Sequence, residues 1–97
     1  MSYWAEIVVG LPYEEVGEDL KEKVREEEFY QQGIEDKSPY YDGGGQGLFG
    51  ITVKSSDDYS YDEINFDKLT LKINEARCTF KQHIGIEPKV YITTRGC

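Results

Sequence analysis

Tyr3-Trp4-Ala5-Glu6-Ile7-Val8-Val9, closed by Gly10-Leu11-Pro12, is the stretch on which the fold turns. Tyr3, Ala5, Ile7 and Val9 recur at period two and make one face of a strand apolar. Trp4 and Val8 make the opposite face partly apolar as well. A strand with apolar residues on both faces belongs in the middle of a sheet. Gly10-Leu11-Pro12 stops it. Pro12 suits the first turn of a following helix, where its missing N–H has no partner to lose.

Working outward, residues 13–32 read as a helix. Val16, Leu20 and Val24 recur every four residues, with Tyr13 on the same side. Glu14 and Glu15 sit where the positive end of the helix dipole favours acids. Gly17 weakens the helix by up to ~1 kcal/mol relative to alanine. Gly33 is the expected left-handed residue after the helix, with Ile34 packing back on the last turn. Residues 37–53 read as a hairpin. Its first arm, Lys37 to Asp42, is short and carries Pro39, which marks an edge strand. Asp42-Gly43 opens a glycine-rich turn, and Phe49, Ile51 and Val53 alternate as a stronger strand.

Residues 60–84 read as a second helix. Ser60 with Glu63 matches a capping box, and Asn65 is an alternative cap. Phe66, Leu69, Ile73, Ala76 and Phe80 step by three and four along one stripe, and Gly85 closes the helix. Residues 88–94 complete the pattern as a strand with Val90 and Ile92 inward. The order is β-α-β-β-α-β. It resembles the ferredoxin-like arrangement, which implies an α+β single-domain sandwich over residues 1–97: a four-stranded antiparallel sheet with two helices on one face. The first and third strands would be central. Pro39 in the second strand, and Lys89 and Arg95 around the fourth, suit edges.

Composition limits the function classes. The 97 residues carry 19 Asp and Glu against 11 Lys and Arg, a net charge of −8. Ile, Leu, Val and Phe make up about a quarter of the chain, above the roughly 20% below which a highly charged chain stays disordered. The core is thin, since a domain of this size buries only roughly 60–68% of its unfolded surface. No apolar stretch approaches the ~20 residues of a membrane span. The first residues lack the basic start and continuous apolar core of a signal peptide. Cys78 and Cys97 are too few for a disulfide scaffold. The expectation is a reduced cytoplasmic protein, in which oxidation would link two chains through Cys97. An acidic field repels nucleic acid and anionic membranes and attracts basic partners.

Candidate chemistry is sparse. His83, the single histidine, lies five residues from Cys78 on one helix, about 140° around it, so the two do not face each other. Asp57, Asp58, Asp62 and Glu63 crowd one loop, but the EF-hand pattern is absent and acids before a helix are ordinary dipole partners. The run Gly43-Gly44-Gly45-Gln46-Gly47 lacks the Lys and Ser or Thr of a phosphate loop and precedes a strand. The expectation is therefore no enzyme, no cofactor and no metal.

Two features point to interaction instead. Glu14, Glu18, Glu22 and Glu26 recur at i, i+4 and form an acidic ridge that folding does not require. The net charge is −6 over residues 1–30, −3 over 31–60 and +1 over 61–97, so the acidity belongs to the first half. Eight tyrosines are a high share; Tyr40 and Tyr41 fall on the edge strand, and Tyr59 and Tyr61 precede the second helix. Tyrosine gives contact area at low entropic cost. The ridge with Tyr40 and Tyr41 is the expected partner-binding surface, for a basic protein whose own role is to bind nucleic acid. Small acidic inhibitors from phage and mobile elements, including anti-CRISPR and anti-restriction proteins, are similar in size and charge; no residue correspondence carries that likeness. The alternative is a homo-oligomeric structural or small regulatory domain associating through its sheet.

Overall fold

The computed structural model describes residues 3–17, 19–20, 29, 31–37, 47–57 and 59–96. They form an α+β fold of four strands and one long helix: β1 (Tyr3–Pro12), β2 (Glu35–Asp36), β3 (Leu48–Asp57), α1 (Phe66–Ile84) and β4 (Lys89–Gly96). The sheet order is β2-β3-β1-β4 and each pairing is antiparallel. The first and third strands are thus central, as their two apolar faces require.

The β1–β3 ladder carries a bulge. Val8 stands opposite Thr52 but Ile7 stands opposite Lys54, so Val53 is the extra residue on β3. Val53 packs with Val9 and Ala76, and Ile7, Ile51, Leu69 and Ile73 close around them. A second cluster joins Leu11, Phe29, Ile34, Phe49 and Phe80. The Phe49 and Phe80 rings lie 5.5 Å apart. Helix α1 therefore seats its Leu69–Ile73–Ala76–Phe80 stripe on β1 and β3. Phe66, expected to lead that stripe, is exposed.

The caps explain the helix limits. Asn65, not Ser60, caps α1: its side chain accepts a hydrogen bond from the Lys68 N–H at 3.1 Å. Ser60 instead donates its hydroxyl to the Asp57 carbonyl at 2.7 Å, closing a turn in which Tyr59 takes φ 58°. The helix thus begins five residues later than a Ser60 cap would allow. Gly85 ends it in the left-handed region at φ 86°.

Three expectations about the other elements need correction. Residues 13–15 form a 3-10 turn rather than the start of an α-helix, and Val16 is extended at φ −126°, ψ 158°. The Leu20 N–H donates to the Gly17 carbonyl, so Gly17 lies before the helical residues 19–20 rather than inside a helix. Half of the expected 13–32 helix, residues 18, 21–28 and 30, lies outside the described residues. Its C-terminal signal is present: Gly33 has φ 80°, and both Gln32 and Ile34 donate their N–H to the Phe29 carbonyl, with Ile34 fully buried.

The second strand is Glu35–Asp36, upstream of the expected 37–42 segment. Burial of Ile34 and the Lys37 N–H bond to the Leu48 carbonyl at 2.8 Å fix that position. Residues 38–42, with Pro39, lie outside the described residues.

Val90 and Ile92 are not inward. They stand opposite Val9 and Ile7, which puts them on the face that carries α1. The helix packs over β1 and β3, so Val90 stays 50% and Ile92 76% exposed. Among the described residues, no helix is long and apolar enough to cross a membrane.

Candidate interaction surface

Of the six expected partner-binding residues, Glu14 is placed; Glu18, Glu22, Glu26, Tyr40 and Tyr41 lie outside the described residues. Glu14 sits on the 3-10 turn that follows β1. Pro12 precedes the turn with φ −63°, as its ring dictates. Tyr13 anchors it twice. Its N–H donates to the Gly47 carbonyl at 2.9 Å, and its ring stacks on Phe49 at 5.0 Å. The turn is thereby fixed to the core while Glu14 and Glu15 stay exposed. Extended Val16 and exposed Gly17 follow, so Glu14 is not part of a continuous α-helical face.

The two carboxylates have different surroundings. Glu15 accepts a hydrogen bond from Lys89 Nζ of β4 at 3.3 Å. Among the described residues Glu14 has no ion-pair partner. It lines a cavity of about 200 Å³ together with Pro12, Gly47, Leu48, Tyr91, Ile92 and Thr93. Tyr91 and Thr93 stand opposite Val8 and Glu6, on the face of the sheet away from α1. Thr93 is 7% exposed, and its Oγ1 is buried without a hydrogen-bond partner.

Of the β4 members of this cavity, the sequence singled out Ile92 as a core residue and marked neither Tyr91 nor Thr93. They meet Glu14 only because β4 pairs with β1 across more than 75 positions of chain, and no local pattern signals that.

The remaining candidates part company. Tyr59 and Tyr61 are 101% and 95% exposed, so neither fills the core. Cys78 is exposed and His83 half-buried on α1. Asp62 lies 4.0 Å from Lys54, and Asp58 lies outside the described residues. Among the described residues no three His, Cys, Asp or Glu side chains gather as a metal site would need. Glu87 accepts from Arg77 Nε at 3.0 Å and lies 3.4 Å from Lys81 Nζ. The Arg77 hydrogen bond, reinforced by Lys81, holds the Glu87 carboxyl below the ordinary carboxylate range, and the same bond raises the Arg77 pKa.

Lysines gather elsewhere, beside acidic residues. Lys54, Lys68 and Lys72 surround a cavity of about 220 Å³ between β3 and the first turns of α1. Glu63 lines the same cavity, and Asp62 lies beside Lys54. Compared with protein-family models, curated proteins and solved structures, the chain matches none.

Proposed function

We propose that the protein is a small, non-catalytic, cytoplasmic interaction protein whose acidic N-terminal half engages a basic protein surface. The observation that carries this reading is Glu14. It is an exposed carboxylate with no ion-pair partner among the described residues, on a turn pinned to the core, in a segment of net charge −6. Folding makes no visible use of that charge. A basic partner gains from it through long-range attraction and complementary contact. The class of partner that fits is a nucleic-acid-binding protein, whose phosphate-binding groove accepts carboxylates in place of phosphates. Size and charge are similar to those of small acidic phage and mobile-element inhibitors. The strand order β2-β3-β1-β4 and the helical turn ending at Gly33 support a ferredoxin-like βαββαβ layout as the scaffold.

The test is capture on the immobilised protein at low and then high salt, with Cys97 blocked. Screening shortens to about 3 Å at 1 M ionic strength. A basic nucleic-acid-binding protein retained at low salt, released at high salt and lost on combined Glu14, Glu18 and Glu22 reversal to lysine supports the reading. Retention that ignores both salt and reversal overturns it.

A second reading has its own observation. Val90 and Ile92 are exposed on β4, an edge strand. An apolar edge is a surface for self-association through the sheet, and sedimentation over a concentration range tests it.

A further inference from the structure

The outer edge of β4 has a pattern that complements itself. Its free backbone groups follow from the ladder. The Tyr13 N–H bonds to the Gly47 carbonyl, and the Lys37 N–H bonds to the Leu48 carbonyl. Hydrogen-bonded and non-bonded pairs alternate along antiparallel strands. Phe49 and Ile51 therefore bond to Leu11 and Val9 of β1. The even residues of β1 are left for β4, where Gly10, Val8 and Glu6 face Lys89, Tyr91 and Thr93. Val90, Ile92 and Thr94 then turn their N–H and C=O groups outward. Among the described residues no strand lies beyond them. The same residues carry the exposed apolar side chains, Val90 at 50% and Ile92 at 76%.

A two-fold pairing of this edge with itself must match residue i to j and j to i on the same face. Centred on Tyr91, it sets Val90 against Ile92 of the second copy, twice over. Both are outward residues, so they exchange their N–H···O=C bonds. On the other face, Tyr91 meets Tyr91. Lys89 falls opposite Thr93, beside the cavity that Glu14 lines. Position 95, an arginine, falls opposite position 87, a glutamate. Pro88 falls opposite Thr94 and loses only a donor, as an edge proline does. A pairing centred on Ile92 instead sets Lys89 against Arg95 twice, and like charges directly opposite are destabilising. Residues 61–97 carry net +1, so copies that each carry −8 meet through their least acidic part.

We propose that two copies of the chain join β4 to antiparallel β4 about a two-fold axis at Tyr91, making one eight-stranded sheet. This rests on the self-association reading and gives it a register. The row Ile7, Ile92, Val90, Val9 of one copy then continues into Val90 and Ile92 of the other on the helix-bearing face.

The first test is sedimentation equilibrium of the full chain, Cys97 blocked, from about 10 μM to 1 mM. A single strand edge lies at the small end of stable interfaces, so a dissociation constant on the order of 100 μM is expected. Ile92→Lys places a charge on the edge and should stay monomeric throughout. Its melting temperature should match wild type at low concentration, because the replaced side chain is exposed. The second test reads the register. Val90→Cys and Ile92→Cys chains, both with Cys78→Ser and Cys97→Ser, are mixed in equal amounts and mildly oxidised. In the proposed pairing, positions 90 and 92 stand about 5.5 Å apart between Cα atoms, within disulfide reach. Each position stands roughly 8 Å from its own copy, beyond that reach. The mixed disulfide should therefore predominate over either homodimer.

Monomers at every concentration overturn the proposal and the self-association reading together. Dimers that persist in Ile92→Lys overturn the β4 edge as the contact. Dimers lost in Ile92→Lys but linked mainly as the Ile92→Cys homodimer overturn the Tyr91 register and keep self-association through the sheet.

Discussion

Gly10 of β1 and Gly50 of β3 stand opposite each other, and neither position has room for a Cβ. A Cβ on Gly10 would fall 1.9 Å from the Phe49 carbonyl oxygen, and one on Gly50 would fall 2.4 Å from the Val9 carbonyl oxygen. Both obstacles are backbone, which cannot rotate away. The close approach lies in the ladder between the two central strands, next to Phe49. Alanine at either position should therefore force the strands apart and cost at least about 2 kcal/mol. Urea denaturation would measure it. Gly17, with open space around its Cβ position, is the control, and alanine there should change stability by no more than about 0.5 kcal/mol.

Asn65 and Ser60 offer a clean contrast between two capping assignments. Asn65 holds the Lys68 N–H, while Ser60 bonds only to the exposed turn at Asp57. Asn65→Ala should cost about 1 kcal/mol, the usual loss of an N-cap side chain. Ser60→Ala should cost clearly less. Equal losses from the two would mean that the helix starts upstream of Phe66.

These residues also show where sequence reading succeeds and where it stops. The central strands were legible because period-two apolar residues on both faces leave a strand few other places to go, and Val8, Val9 and Phe49 are indeed fully buried. Gly33 and Gly85 were legible because only a left-handed residue can end a helix in that way. The helix starts were not. Ser60 and Asn65 both match capping chemistry, and only the backbone that brings Lys68 onto Asn65 decides between them. The turn at Tyr13 was hidden for a similar reason. Apolar spacing at Tyr13, Val16 and Leu20 looks helical, yet Tyr13 spends its N–H on Gly47 and its ring on Phe49. The inward reading of Val90 and Ile92 failed because alternation names a face but does not say whether anything covers it. Of the candidate site, Glu14 was visible as part of a charge run, whereas Tyr91 and Thr93 join it through strand pairing alone.

Glu87 makes stability depend on pH in one direction. Its carboxyl is held below the ordinary range by the Arg77 hydrogen bond, with Lys81 adding to it. A lowered folded-state pKa gives a contribution that is present above the unfolded value and is lost as pH falls through the folded one. Wild type should therefore be slightly more stable than Glu87→Gln near neutral pH. The difference should shrink below about pH 4 and also at high salt, because both partners are exposed. Denaturation of the two proteins side by side from neutral to acid pH measures it. A gap that widens toward acid would reverse the sign and remove the pair from the stability of the loop before β4.

Ile92 tests whether β4 has a use beyond folding. It stands opposite Ile7 on the helix-bearing face, yet it is 76% exposed because α1 lies over the neighbouring strands. A side chain with so little burial contributes little to the core, so Ile92→Thr, which keeps the β-branched shape, should change unfolding stability by no more than about 0.5 kcal/mol. If the chain associates through its sheet edge, the same change removes apolar area from the contact and should lower the sedimentation coefficient at high concentration. The expected result on the acidic-interaction reading is different: wild type and variant both sediment as monomers, and capture of the basic partner is unchanged. A large loss of stability in Ile92→Thr would contradict both readings, since it would mean that this face of β4 is covered in solution.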